Sequence, residues 1–490
     1  MFKILKNRIV RLILFLIIFS YFYIVCLKHT SKPMPLGTDF ASKTFIEKSE
    51  DINFLYDLTY KQDDKIVNEQ QIFDRIFSII EEAKDYILID MFLFNDWQGG
   101  STQSYRQLSH ELTEKIINKK TEEPEIKIDF ITDPINNTYS SKYSPQLQAM
   151  QKAGVNVIIT EHKALRDSNF IYSAIWRTFF AWLPDNMFKI FPHPFSKTES
   201  GVSLQSYLTM LNFKANHRKV IIADQDDDMI SIISSANPHD GSSAHSNVAF
   251  EIKGDFWKSI WFSESAVANL SGQMIQSPPM LLESTYAFQN HDHNISIELI
   301  TENKIKQKII QAIDASNQED DVMLAMFYLS DRGVVDSLLK AAKRGADIRL
   351  ILDPNKDAFG YEKNGIPNRS ASYELIKKSK GKIRIKWYDT HGEQFHTKML
   401  IVSHKNGPSR IILGSANLTR RNLSNYNLEM DVATIAPTSS VFVQNTTSYF
   451  NRIWSNEDEY YTQIYEVYAD NSIWKYLLYR IQEATGLSSF

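Results

Sequence analysis

The stretch "ANHRKVIIAD" (residues 215–224) opens polar and closes apolar. Val220, Ile221 and Ile222 are strong strand formers, so the spacing predicts a β-strand. Residues two apart share a strand face, which sets His217 and Lys219 side by side at its mouth. Much later, "FHTKMLIVS" (395–403) repeats the pattern, with His396 and Lys398 in the same places. Each copy then gains the same followers. Asn237 ends "SSAN" (234–237), 20 residues after His217, and Asn417 ends "GSAN" (414–417), 21 residues after His396. Next "NVAFE" (247–251) answers "NYNLE" (425–429), which pairs Glu251 with Glu429. A lone histidine at a strand is usually structural. An ordered set of His, Lys, Ser, Asn and Glu occurring twice points to a duplicated site.

The duplication extends outward. Helical spacing over 73–83 leads into an apolar strand run at 86–96, then a helix (112–120) and a strand (126–137) ending in Asp133-Pro134. In the second half a helix (306–316), a strand (322–331), a helix (334–346) and a strand (348–357) ending in Asp353-Pro354 follow in the same order. "IDMFLFND" and "LAMFYLSD" even share Met-Phe. Strand–helix–strand alternation predicts an α/β fold of two similar halves, each a mixed, mostly parallel sheet flanked by helices and packed as a pseudo-twofold pair. The expected units are a membrane-anchor segment (1–30), a first half (50–271), a second half (296–455) and a helical tail (456–490), with a linker near 272–295 holding Pro278 and Pro279. The first half carries about 40 extra residues within 160–211, dense in aromatics. There Ile171, Ile175, Phe179 and Trp182 fall on one helical face. The plain expectation is a helix packed on the core; the functional one is a rim or lid that contacts lipid.

Composition narrows the partners. With 43% hydrophobic and 23% charged residues the chain is of globular type, and a net charge of −4 gives bulk binding to nucleic acid no support. One cysteine, Cys26, excludes a disulfide framework and a cysteine metal site. Lys3, Lys6, Arg8 and Arg11 precede an uncharged run from Leu12 to Leu27. That run, with Ile9 and Val10, approaches the roughly 20 residues that cross a bilayer. It ends Tyr-Ile-Val-Cys rather than in a small-residue cleavage site, so it reads as an uncleaved single-pass anchor; a cleaved signal peptide is the alternative. The basic flank places the N-terminus in the cytoplasm and the rest on the non-cytoplasmic side.

Two histidines can divide a displacement. One attacks as neutral imidazole while the other, protonated, gives its proton to the leaving oxygen. An electrophile flanked by two lysines and two asparagines is most simply a phosphoryl group. Lys219 and Lys398 are expected to neutralise its oxygens, and Asn237, Asn417, Ser235 and Ser415 to donate hydrogen bonds. Glu251 and Glu429 are each expected to accept an imidazole N–H. With the charge carried by lysines, no metal is required. Three other clusters read as turns or loops: "DQDDD" (224–228), "NPHDG" (237–241) and "HGEQFH" (391–396).

These motifs resemble those of the phospholipase D superfamily, whose signature is His-x-Lys-x4-Asp followed by Gly-Ser-x-Asn. His217, Lys219 and Asp224 match the first part, while Ser234 stands where Gly is expected. His396, Lys398, Gly414, Ser415 and Asn417 match the second copy, while Ser403 stands where Asp is expected. Position 403 is seven residues from His396 and points to the opposite strand face, so Asp224 and Ser403 read as structural rather than catalytic. The resemblance covers about residues 50–455. It implies a phosphohistidine intermediate with His217 attacking first, one composite site supplied by a single chain, and no cofactor. The superfamily includes phospholipases, cardiolipin synthases, phosphatidylserine synthases and nucleases. The anchor and aromatic insert favour a phospholipid substrate, with water or an alcohol as acceptor. A membrane-anchored exonuclease or phosphodiesterase is the second reading, and an inactive lipid-binding scaffold the third.

Overall fold

In a computed structural model, which describes residues 8–100, 105–184, 188–196, 199–278 and 294–487, the chain forms two large mixed sheets with helices on their outer faces. The expected linker lies largely outside the described residues, as do Lys3 and Lys6. The first sheet has eight strands in the spatial order 65–70, 52–62, 247–253, 228–234, 219–225, 86–91, 127–132 and 156–159. The second has nine, in the order 45–48, 294–301, 430–436, 409–414, 398–403, 321–326, 347–352, 383–388 and 462–464. The sequence expectation of mostly parallel sheets needs correction. Among the described residues, parallel pairing is confined to two ladders in each large sheet, 86–91 with 127–132 and 127–132 with 156–159, then 321–326 with 347–352 and 347–352 with 383–388. Those are the strands joined through crossover helices. The strands that carry the repeated motifs are joined by tight turns, which permit only antiparallel pairing.

Alternation along each strand sends one set of side chains to a core between the sheets and the other to the helices. Val220, Phe250, Met323, Met399 and Val432 meet in the shared inner core. Ile221 and Ile89 instead pack on Ile76 and Leu112 of the first half's helices, and Leu324 and Leu400 pack on Leu338 of the second half's. The order is therefore helices, sheet, sheet, helices. Two strands outside the expected halves extend the second sheet: Phe45–Lys48 pairs with Asn294–Thr301, and Thr462–Ile464 pairs with Ile383–Tyr388. The helix Ile473–Thr485 closes the chain, burying Tyr479 and Glu483, and Glu483 accepts from Ser330 Oγ at 2.6 Å.

The N-terminal helix, Arg8–Thr30, is 23 residues long and apolar enough to cross a membrane by length and composition. Its side chains are largely exposed, and only Cys26 and Thr30 are buried.

The missing Asp at position 403 has a structural answer. Asp224 closes its strand by accepting the backbone N–H groups of Lys84 (2.9 Å), Asp85 (3.0 Å) and Tyr86 (2.7 Å), which start the neighbouring strand. In the second half the carboxylate has moved across the strand pair. Asp320, just before the neighbouring strand, accepts Lys405 N at 2.9 Å and meets His404 Nδ1 at 2.8 Å. The turn is tied from the other side. Asp224→Ala leaves three N–H groups without their acceptor, and a loss of about 1–3 kcal/mol in unfolding free energy is expected. Ser403→Ala should change it by less than about 0.5 kcal/mol. Denaturant titration of both variants in detergent tests the contrast, and equal losses would show that Asp320 does not carry the role.

Candidate active site

Each motif histidine sits at the mouth of its strand, aimed by an aspartate. Asp133 Oδ2 accepts the backbone N–H of Asn216 at 2.7 Å, and Asp353 Oδ2 accepts that of Phe395 at 2.8 Å. These are the two strand-ending Asp-Pro residues, and they fix the residue before each histidine. The other half then supplies the next constraint. Asn216 bridges to Leu428, with His217 N donating to Leu428 O at 2.8 Å, and Ser246 bridges to Phe395, with Ser246 N donating to Gln394 O at 3.1 Å.

The residue after each bridge is the imidazole's partner. His217 Nδ1 meets Glu429 Oε2 at 2.9 Å, and His396 Nδ1 meets Asn247 Oδ1 at 3.1 Å. Glu429 is therefore where the sequence reading expects it, but Glu251 is not. Glu251 lies four residues further along its strand, roughly 13 Å from Asn247 at the strand's rise. It accepts from Asn53 Nδ2 at 3.0 Å and Arg75 Nε at 2.5 Å, on the helix side of the sheet. Matching Glu to Glu hid a shorter first-half connection. The true equivalent of Glu429 is an amide.

Ser235 and Ser415 need a second correction. Both are fully buried. Ser415 Oγ donates to Glu429 Oε2 at 2.6 Å and Ser235 Oγ to Asn247 Oδ1 at 3.0 Å, so each hydroxyl braces a histidine partner instead of facing a substrate. The Ser234 departure resolves alongside. A Cβ on Gly414 would lie 2.4 Å from Asp431 Oδ1, whose carboxylate accepts Ala416 N at 3.0 Å. The same Cβ would also lie 2.4 Å from Met430 O, so backbone as well as the carboxylate demands glycine there. In the first half residue 234 pairs with Ala249 and the site holds a side chain. Ser234 Oγ fills it and accepts Ala236 N at 2.8 Å, the same obligation met by another residue.

Phe92 and Phe327, from the repeated Met-Phe, lie 4.7 Å and 4.9 Å from the His217 and His396 rings. Lys219 Nζ stands 4.9 Å from the Phe92 ring and Lys398 Nζ 5.4 Å from that of Phe327. Each ammonium donates to the carbonyl of its own histidine. Between the two motif residues the halves differ: Arg218 is wholly buried and ion-paired to Glu264 (3.1 Å) and Glu302 (2.8 Å), where Thr397 sits in the second half.

Burial and clustered cations set the electrostatics. Burial, then Lys219 and Lys398, holds His217 well below the ordinary imidazole range, and burial, then Lys398, does the same to His396. Lys219 is lowered to about 7 by burial, against the pull of Glu429. Lys398 is pushed well down by burial and by Lys219. Burial lifts Glu429 to about 7. A group of crowded, desolvated cations lowers its own cost when an anion arrives among them.

Both histidines open into one cavity of about 750 Å³, which Asn237 and Asn417 also line. Asn237 Oδ1 accepts Leu93 N at 3.3 Å. The walls are mostly apolar, with Pro194, Phe195, Met210 and Leu211 supplied by the aromatic insert. The sequence reading missed His239 and His245, which also line the cavity; its loop "NPHDG" holds the first. The His245 ring lies 5.7 Å from His396. It also missed Asn247, which follows a residue that bridges the halves, a contact that leaves no mark in the sequence.

Residues 309–454 match the family model described as "Cardiolipin synthase, PLD-like domain". No curated protein matches the chain. Among solved structures, phosphatidylserine synthase from Haemophilus influenzae Rd KW20 is similar over 95% of this chain and 98% of that one, at 11% identity and a TM-score of 0.56, which shows a shared two-half fold. Polyphosphate kinase from Porphyromonas gingivalis aligns at 10% identity over 84% of this chain and 48% of that one, with a TM-score of 0.46. The phospholipase D family member Nuc from Salmonella typhimurium aligns at 18% identity over 33% and 95%, with a TM-score of 0.25. The phospholipase D resemblance read from the doubled motif is borne out.

Burial, then His239, Lys398 and Lys363, holds His245 well below the ordinary imidazole range. The unfolded chain takes up a proton near pH 6.5 that the folded chain refuses. The stabilisation is therefore full above that pH and is lost as pH falls. Relative to His245→Asn, the natural protein should lose about 1.4 kcal/mol per pH unit below that point. Unfolding titrations from neutral to mildly acid pH measure the difference, and parallel curves would show that His245 charges freely.

Proposed function

We propose that this chain, which carries a phospholipase D-like domain in its second half, is a membrane-anchored phosphodiesterase or phosphatidyltransferase acting on phospholipids. The observation that carries the reading is a pair of imidazoles, each with Nδ1 held by the opposite half and a buried lysine on its carbonyl, facing one apolar-walled cavity. The helix Arg8–Thr30 supplies the anchor, with its basic flank on the cytoplasmic side and the catalytic halves on the other.

With Nδ1 engaged, Nε2 of each ring is the reacting nitrogen. His217, held neutral and paired to the carboxylate of Glu429, attacks phosphorus and forms an N–P bond. The P–O bond to the leaving group breaks, and His396, which takes up a proton once the anionic phosphodiester offsets the neighbouring cations, gives that oxygen its proton. His396, now neutral, takes a proton from water or an alcohol, whose oxygen attacks phosphorus. The N–P bond breaks and His217 is restored. Lys219 and Lys398 carry the charge on the non-bridging oxygens, and Asn237 and Asn417 donate to them. The asymmetry of partners suits the division. A carboxylate steadies the imidazole that becomes positive on phosphorylation, whereas a neutral amide fixes the tautomer of His396 without making it a weaker acid.

Full-length protein in phospholipid nanodiscs, in the presence of EDTA, should release headgroup or transfer phosphatidyl to an added alcohol. His217→Ala and His396→Ala should each lower turnover by at least about 10²–10⁴-fold. Acid quenching during turnover should trap phosphate on the natural protein and not on His217→Ala. Single-stranded DNA offered in parallel tests the nuclease reading. Cleavage of DNA alone would overturn the lipid assignment, and no turnover of either would favour the scaffold.

A second variant probes the partner asymmetry. Asn247→Asp places a negative charge on His396 Nδ1, which favours its imidazolium. The pH optimum of kcat/KM should move upward, and an unmoved profile would show that His396 does not set it.

A further inference from the structure

The predicted apolar stripe of the insert does not pack on the core, although Leu165, Ala174 and Trp176 of the same insert are buried. Ile171, Phe179 and Trp182, expected on one buried face, are 56%, 51% and 70% exposed. Phe188 and Ile190, just beyond, are exposed as well. A soluble surface rarely gathers so much apolar area without a partner.

Its neighbour identifies the partner. The insert helix Phe170–Ile175 continues into a wide π turn, Trp176–Phe180, and runs along the N-terminal helix. Cys26 Sγ donates to Phe170 O at 2.9 Å, Thr178 Oγ1 meets Tyr21 OH at 3.4 Å, and the Phe22 and Phe179 rings lie 6.2 Å apart. These contacts act as a depth gauge. At about 1.5 Å per residue the helix Arg8–Thr30 is roughly 34 Å long, a little more than the ~30 Å hydrocarbon core. Phe22 precedes its end by eight residues, or about 12 Å. When the helix spans, a ring touching Phe22 must lie roughly 10 Å below the interface.

Charge is consistent with this depth. From Phe170 to Pro184 the only charged residue is Arg177, and its guanidinium is bound to buried Asp167 at 2.7 Å and 2.9 Å. At its other end the insert helix begins at Asn169, which caps it and lines the catalytic cavity.

We infer that the aromatic insert is immersed in the hydrocarbon of the leaflet on the catalytic side, beside the anchor helix. There it joins the cavity wall to the acyl region, so that a phospholipid reaches the histidines sideways from the bilayer. The immersion rests on the reading of Arg8–Thr30 as a spanning anchor, and the lipid route on the proposed substrate class.

Depth-dependent fluorescence quenching tests it without measuring turnover. In full-length protein carrying Cys26→Ser, single cysteines replace Ile171, Trp182, Leu16 or Lys65 and receive a bimane label. The protein is placed in phosphatidylcholine–phosphatidylglycerol vesicles whose acyl chains are brominated. Labels at 171 and 182 should be quenched more than about twofold over the label at 65, which is exposed at the start of the first sheet's edge strand. Equal quenching at 171, 182 and 65, with strong quenching at 16, would overturn the immersion and leave the anchor standing. No quenching at 16 would overturn the anchor and the immersion together. In unlabelled protein, Trp182→Phe should remove a measurable share of the intrinsic-fluorescence quenching by the same lipids; an unchanged share would count against the inference.

Discussion

Two short backbone bridges between the halves govern the candidate site. Asn216 to Leu428 and Phe395 to Ser246 each set the strand of one half against a connection of the other. Each leaves the following residue, Glu429 or Asn247, at the opposite imidazole. Buried backbone groups must be paired, so neither bridge can loosen without leaving donors stranded away from water. The same requirement holds the shared inner core closed, because the bridges and the core cross the same seam. Neither half owns a complete histidine. Each provides a ring, an ammonium and the other's orienting group.

The electrostatics follow from that closure. Burying two lysines and two histidines close together makes every positive form expensive. The buried glutamate offsets only part of this, and it is itself lifted towards its neutral form. A phosphodiester would add negative charge beside cations whose neighbouring carboxyls, Glu429 and Asp431, are themselves lifted towards neutrality by burial. Ground-state discomfort of this kind favours binding of the charged group while the apolar walls accept the rest of the molecule. The insert widens that apolar provision at the side where the N-terminal helix stands.

Much of this was legible in the sequence, for identifiable reasons. Strand alternation placed His217 beside Lys219, and repetition made the pair meaningful; the two α/β halves followed from the same repeat. Residues defined by long-range contacts were not legible. Asn247 carries no letter in common with Glu429, and the shorter connection before it shifted the comparison onto Glu251. The serines looked like substrate donors because sequence does not reveal that their hydroxyls face inward to Asn247 and Glu429. Parallel pairing was overextended because helix-linked strands and hairpin strands share one apolar signature. The insert was ambiguous in principle. A stripe at helical spacing looks the same whether protein or lipid covers it.

The exchange of Gly414 and Asp431 for Ser234 and Ala249 also constrains how such halves can drift apart. Starting from glycine with aspartate, a serine Cβ at 414 would meet the Asp431 carboxylate at 2.4 Å and, just as closely, backbone: Met430 O at 2.4 Å and the Asp431 Cα at 2.6 Å. Losing the aspartate side chain removes the first contact and leaves the other two. The exchange therefore requires the two strands to move apart at this point as well as two side chains to change. A motif letter that departs from the pattern can thus mark a local change of strand spacing instead of a decayed site.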